Sequence, residues 1–320
     1  NSAKAKISAM NSLVLTSLLP VILLISAGFA AARLDWVRET AVKDLSNLVF
    51  LLLTPALLFQ TMSHVHLEQL DFKPVAAYFV AVGLLFGSTF LLHGFNRRAA
   101  VLALAATYSN TVMIGIALVS LVYGPAGLVT LLTLVAVHSL VLLTSATVML
   151  ELAVAREQLP GAATRHALTT ALHALQNSIL HPVTLPLLLG LLFAQTGWQL
   201  PPAIQTPLEL MAKAFSPMAL MLVGVTLAFT RVGVHWRAAL VLAGVKNILH
   251  PLLVFVLCFW MGVSGLPMAV MVAAAALPMG ANVFLFSQRY GVAQELITAS
   301  VAVSTALSVL TLTLALMLVS

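Results

Sequence analysis

Thr107-Tyr108-Ser109-Asn110-Thr111 and Pro278-Met279-Gly280-Ala281-Asn282 decide how this chain is read. Each lies in the middle of an apolar span. Each is followed by a similar phrase, Tyr123-Gly124-Pro125-Ala126 after the first and Tyr290-Gly291-Val292-Ala293 after the second. A hydrocarbon interior offers no water to freed backbone groups, so it tolerates a broken helix only where the break lines a protein-walled cavity. Two such breaks at matching places in two halves point to the binding site of a transporter.

The composition sets the frame for those breaks. Of 320 residues, 61% are hydrophobic and 8% are charged, and the mean hydropathy is +1.08. A soluble domain of this size has no way to cover so much apolar surface. The apolar runs reach the roughly 20 residues that a membrane helix needs, so the chain is expected to be an all-α, multi-pass membrane protein. The net charge of +6 records topology in such a chain rather than an affinity for nucleic acid. Cys258 is the one cysteine, which rules out an intrachain disulfide and a thiolate metal cluster. Lys4 and Lys6 ahead of an apolar run, with Ala30-Ala31-Ala32 behind it, imitate a signal peptide. The run is longer than the usual apolar core of one and is counted as a span.

Charged and Gly/Pro-rich stretches divide the chain into ten expected spans, roughly 12–32, 45–63, 74–94, 99–121, 126–150, 171–194, 208–230, 238–262, 266–288 and 293–319. The odd-numbered connections carry Arg33, Arg38, Lys43, Arg97, Arg98, Arg156, Arg165, Arg231, Arg237 and Arg289, against Lys73 alone in the even ones. Positive charge stays on the cytoplasmic side, which places both termini outside. The halves also echo each other. Asn11-Ser12 precedes Pro20 as Asn177-Ser178 precedes Pro186, and Thr54-Pro55 and Ser216-Pro217 are expected to break spans two and seven. Five spans per half is an odd number, so the second half must be inverted, with the site between the halves near the midplane. The expected division is 1–155 for the first repeat, 156–170 for a short cytoplasmic linker, and 171–320 for the second repeat.

Leu53-Thr54-Pro55-Ala56-Leu57, Tyr108-Ser109-Asn110 and Leu277-Pro278-Met279-Gly280-Ala281-Asn282, with His181-Pro182, Gly190, Lys246 and His250-Pro251, resemble the auxin efflux carrier family over essentially the whole chain. That family includes plant auxin exporters and bacterial permeases for malonate and similar acids, and it is related to the bile-acid sodium symporters. The resemblance implies crossing broken helices in spans four and nine. It also implies a dimerising scaffold from spans one, two, six and seven, and an elevator-like core from spans three to five and eight to ten. The short central linker is similar to that of bacterial members, which implies a bacterial inner-membrane protein, and the family resemblance implies a homodimer. The sodium symporters place a carboxylate in the ninth-span crossover. Here that stretch holds no Asp or Glu, which weakens a sodium-coupled reading.

The candidate site follows from the breaks. Asn110 and Asn282 carry amides able to bond freed backbone groups, a substrate carboxylate, or both. Ser109, Thr107 and Thr111 share the first break, with back-bonding to their own helix as the alternative role. Gly280 belongs to the second break, and Pro278 removes a donor there. Half-helix N-termini at the midplane hold an anion without any arginine. Lys246, one turn before His250, is costly at bilayer depth unless it faces the bundle interior or snorkels. It is a candidate for attracting the anion and, with His138 and His250, for proton coupling. Lys213 pairs with Glu209 one turn earlier. His64 and His66 near Glu68 read as a solvated loop rather than a metal site.

No HExxH, GxSxG or phosphate-loop pattern is present, so neither an enzyme nor a cofactor or metal is expected. The expected function is a secondary transporter for a small organic anion, such as a mono- or dicarboxylate or an auxin-like acid. The alternatives are a sodium- or proton-coupled symporter of a larger amphipathic acid, and a sensor or channel on the same fold.

Overall fold

The computed structural model describes residues 19–65, 68, 70–158, 183–229, 233, 235–280 and 282–319. Among them the protein is helical throughout, with no strand. In chain order the helices are α1 (Leu19–Arg33), α2 (Ala41–Met62) and α3 (Lys73–His93), then α4 (Arg97–Thr107), α5 (111–123) and α6 (125–158). The second half holds α7 (Thr184–Gln195), α8 (Pro202–Phe229), α9 (Trp236–Trp260) and α10 (Gly265–Ala276), followed by α11 (Asn282–Tyr290) and α12 (Gln294–Val319). Six helical runs among the described residues are long and apolar enough to cross a membrane, and α1, α7 and α10 are shorter apolar helices. The landmarks Asn11-Ser12, Asn177-Ser178, His66, His181-Pro182 and Arg231, and nearly all of the central linker, lie outside the described residues.

The glycine of each of the two similar phrases takes a positive φ. Gly124 ends α5 at φ 62° and Gly291 follows α11 at φ 64°. Both lie in the left-handed region, which glycine enters without a Cβ clash. Pro125 then starts α6 at a position where its missing N–H has no helical partner to lose.

Two expected breaks are corrected. α2 is continuous through Pro55, and α8 is continuous through Pro217. In α2 the turn before the proline widens to a π-helix at Val49–Leu53, and Thr54 Oγ1 donates to Val49 O at 2.8 Å. A proline ring clashes with the carbonyl four residues back in a regular α-helix, and a π turn relieves that clash locally. The same device precedes His250-Pro251, where Val245–Leu249 is π-helical inside α9.

Packing follows residue size. α4 and α10 are alanine-rich, and Ala99–Thr107 and Ala269–Ala276 are buried without exception. Small side chains allow membrane helices to approach closely. α4 packs on α3, α9 runs along α12, and α2 packs on α7 and α8. α1 and α8 meet backbone to backbone: a Cβ on Gly28 would strike the Met221 carbonyl, and one on Gly224 would strike Ile25 O and stand 2.7 Å from Phe29 N. Gly224→Leu is therefore expected to destabilise the fold by about 1–3 kcal/mol through overpacking. A lower melting temperature in detergent checks it. Gly87→Ala, where a Cβ meets nothing within 4 Å, is the control.

Candidate functional site: two broken helices crossing at a cleft

The chain between α4 and α5 leaves the helix at Tyr108 (φ −78°, ψ 107°), and the chain after α10 leaves it at Leu277 (φ −57°, ψ 151°). Leu277 precedes Pro278, whose ring pushes the residue before it out of the helical region. Pro278 also has no N–H to give back to α10. The two extended pieces cross and pair. Ser109 faces Met279 in an antiparallel bridge, with Asn110 N donating to Pro278 O at 2.8 Å and Gly280 N donating to Tyr108 O at 3.0 Å. Each break thus satisfies the other, where an unpaired group in hydrocarbon would cost several kcal/mol.

The bridge fixes which residues face each other. With Ser109 opposite Met279, Asn110 stands opposite Pro278 and Gly280 opposite Tyr108. The two asparagines do not face each other across the bridge, and they do different work. Asn110 caps α5: its side-chain oxygen accepts from Met113 N at 3.3 Å, while its carbonyl accepts from Ile114 N and Gly115 N. Asn282 Nδ2 donates to the Tyr108 hydroxyl at 2.8 Å. Gly280 leaves room for the Tyr108 ring, since a Cβ there would stand 2.6 Å from one ring carbon.

A cleft of about 430 Å³ opens against this crossing. Its polar end is Tyr108, Ser109, Asn110, Thr111, Gly280 and Asn282. Its apolar wall comes from α2, α8 and α12, with Val42, Phe50, Leu222, Leu227 and Val301 among the contributors. Ser46 and Asn47 on α2, Thr226 on α8 and Thr305 on α12 add polar atoms. No charged side chain is among the described lining residues. The first turn of α5 forms part of the wall, so a helix N-terminus with its partial positive charge faces the space.

Four expected site residues stand elsewhere. Thr107 is fully buried, and its hydroxyl donates to Ala103 O at 2.8 Å. It props its own helix and does not reach the cleft. Lys246 is also fully buried and does not line the cleft. Its Nζ donates to Ala275 O at 2.6 Å and Leu277 O at 2.8 Å, the carbonyls left over where α10 ends. His138 and His250 lie behind the crossing around Tyr78, whose hydroxyl is 3.0 Å from Ser109 Oγ and 3.4 Å from His138 Nε2. The Tyr78 and His250 rings are 5.0 Å apart. Among the described residues, both ring nitrogens of His250, and His138 Nδ1, have no hydrogen-bond partner. Lys213 lies 4.0 Å from Glu209 on an exposed face, and the His64 ring bonds Gln60 O at 2.8 Å.

One supporting relay carries no signal in the sequence. Ser304 Oγ accepts from Met279 N at 2.9 Å and donates to Asn247 Oδ1 at 2.7 Å, and Asn247 Nδ2 returns to Ser304 O at 2.8 Å. The relay ties α9 and α12 to the second break. Ser304→Ala strands a buried N–H and a buried amide oxygen, so a loss of about 1–3 kcal/mol per stranded group is expected. A melting curve of the purified variant checks it.

The chain is similar to proteins that are named as transporters. Residues 13–316 match the model of a family described as membrane transport protein. A protein of Rhizobium meliloti (strain 1021) named "Putative malonate transporter" is 29% identical over 303 residues, covering 92% of each chain. "Uncharacterized transporter YfdV" of Escherichia coli (strain K12) is 27% identical over 297 residues, covering 90% of this chain and 91% of the relative.

Proposed function

The chain belongs to the membrane transport protein family, the auxin efflux carriers, and from that premise we propose that it is a secondary transporter carrying a small organic anion through the cleft at the crossing. The observation that carries this reading is the paired break itself, Ser109 against Met279, set in the wall of a cleft large enough for a carboxylic acid. The anion's carboxylate would lie against the first turn of α5 and the amides of Asn110 and Asn282, with the Thr111 hydroxyl nearby. Its remaining atoms would lie along the apolar wall. A site with a helix N-terminus and no fixed carboxylate suits a negative charge. The Rhizobium relative's name, with malonate in it, is in keeping with a mono- or dicarboxylate, and the apolar wall extends the class to auxin-like aromatic acids.

The rest of the mechanism is proposed with it. Two inverted five-span repeats would build the fold, with spans one, two, six and seven as a homodimeric scaffold and spans three to five and eight to ten as the moving core. The packing of α1 and α2 on α7 and α8 supports that grouping. The cleft begins beside Lys43, at the ends of α2 and α8 that adjoin the basic connections. Under the positive-inside rule it would open to the cytoplasm of a bacterial inner membrane, with both termini outside. Core movement past the scaffold would then expose the crossing on the far side.

Uptake into proteoliposomes tests the reading. Radiolabelled malonate and radiolabelled indole-3-acetate, as a small dicarboxylate and an aromatic monocarboxylate, are offered under imposed proton, sodium and electrical gradients. Accumulation or exchange of at least one is expected. No movement of either acid under any gradient would contradict the proposal and favour a sensor or channel.

A further inference from the structure

We propose that Lys246 is the built-in counter-cation of the crossing, a positioning residue that holds the C-terminal end of α10 as a bound alkali cation would, so that the anion site forms without sodium. The inference rests on the carrier reading above and concerns what holds its site together.

α10 cannot satisfy its own last carbonyls. A helix ends with four acceptors and no following donors, and it carries a partial negative charge there. At α10 the deficit is sharpened because Pro278 has no N–H and Leu277 turns extended. Water is the ordinary remedy, yet Ala273–Leu277 are all fully buried. Lys246 fills the gap by donating to both Ala275 O and Leu277 O. The two acceptors are carbonyl oxygens, the ligand type that hard cations select.

Among the described residues its charge has no carboxylate to answer it. The buried polar residues among those described are Ser, Thr, Asn, His and this lysine, with no Asp or Glu. Two titratable groups that interact electrostatically with it are His138 on α6 and His250 on its own helix, with Tyr78 of α3 packed against both rings. None of these supplies a negative charge to an ammonium in its ordinary protonation state. The negative end of α10 is therefore its counter-charge, and the reverse also holds. Lys246 acts on the cleft at one remove. It anchors Leu277, the next three residues carry the second half of the crossing, and Met279 and Gly280 form part of the cleft wall. A buried cation with no carboxylate partner also favours an anion across that wall.

The test uses the full-length protein in proteoliposomes with the same two labelled acids, first in N-methylglucamine buffer and then with lithium, sodium or potassium added. Wild-type uptake is expected to be equal in all media, and a wild type that requires sodium would overturn the inference. Uptake absent in every medium would remove the carrier reading and this inference together. Lys246→Arg is expected to retain uptake within about threefold. Lys246→Gln keeps a donor but loses the charge, and it is expected to lose uptake at least tenfold without alkali cations. The smaller Lys246→Ala leaves space at the two carbonyls, and a small cation is expected to restore its uptake severalfold. Lys246→Gln matching wild type in N-methylglucamine would reduce the lysine to a hydrogen-bond donor and overturn the proposal. So would a loss in Lys246→Ala that no alkali cation relieves. Should Lys246→Ala not fold, the cation series is run on Lys246→Gln, where rescue supports the proposal and its failure overturns it.

Discussion

Replacing Gly280 with valine is expected to abolish anion uptake. The nearest atoms to a Cβ at this position are two carbons of the Tyr108 ring, at 2.6 and 2.7 Å, with Ser109 O at 3.3 Å. None of them can retreat easily. Ser109 is held by the bridge to Met279. The Tyr108 ring packs 4.8 Å from that of His138, and its hydroxyl holds Asn282. Overpacking of this kind costs about 1–3 kcal/mol, and every 1.4 kcal/mol or so is a tenfold change in binding. Valine brings two further methyl groups into the same space. It should therefore pull Tyr108 from Asn282 and open the crossing, and uptake should fall by well over tenfold. Gly83→Ala serves as the control, because a Cβ on Gly83 meets nothing within 4 Å. Wild-type uptake by Gly280→Val would show that the close approach of the two breaks has no part in transport.

A carboxylate at position 110 separates the two roles assigned to its side chain. Asn110→Asp keeps an oxygen for Met113 N, and aspartate caps a helix about as well as asparagine does. The melting temperature of this variant should therefore stay near that of the wild type. Its negative charge would face the anion across a cleft with no charged side chain among its described lining residues, and uptake should drop by more than tenfold. Asn110→Ala loses the cap as well, worth about 1 kcal/mol, and should show both a lower melting temperature and weaker uptake. Asn282→Ala removes a half-buried amide that bonds one hydroxyl. It is expected to lose uptake with little change in melting temperature. If Asn110→Asp transports normally, the anion does not approach the start of α5.

The position of the crossing was legible in the sequence because the bilayer makes a broken helix conspicuous. Tyr108-Ser109-Asn110 and Pro278-Met279-Gly280 are polar or helix-breaking words in runs where the hydrocarbon rewards only apolar helix. The glycines of the two trailing phrases were legible for a related reason, since a positive φ is costly for other residues. Pro55 and Pro217 misled because a proline signals a local clash but not its remedy. In α2 the remedy is a π turn before Pro55, and α8 passes Pro217 without a break.

The division of labour within the site was not legible. Asn110 and Asn282 look like counterparts in sequence, yet Asn110 stands opposite Pro278 and caps α5, while Asn282 bonds the Tyr108 hydroxyl. Lys246 reads as a lysine at membrane depth, with nothing to show whether it faces substrate, protein or the membrane surface. Its acceptors lie 29 and 31 residues further on. Thr107 stands beside the residues that line the cleft, but its hydroxyl turns back to its own helix. Ser46, Asn47, Thr226 and Thr305 are inconspicuous because single polar residues on apolar helices are common. Only the assembled fold gathers them around one space.

If an organic anion occupies the cleft at the crossing, it should shield a cysteine placed there. Cys258 is the one native cysteine and is buried, so Cys258→Ala gives a thiol-free background. Thr305→Cys in that background puts a single thiol on the part of the cleft wall that α12 supplies. A small maleimide is expected to label it, and malonate or indole-3-acetate is expected to slow the labelling in a saturable way. The protection should disappear when Gly280→Val is added. A labelling rate that neither acid changes, at concentrations that drive uptake, would mean that the anion binds elsewhere.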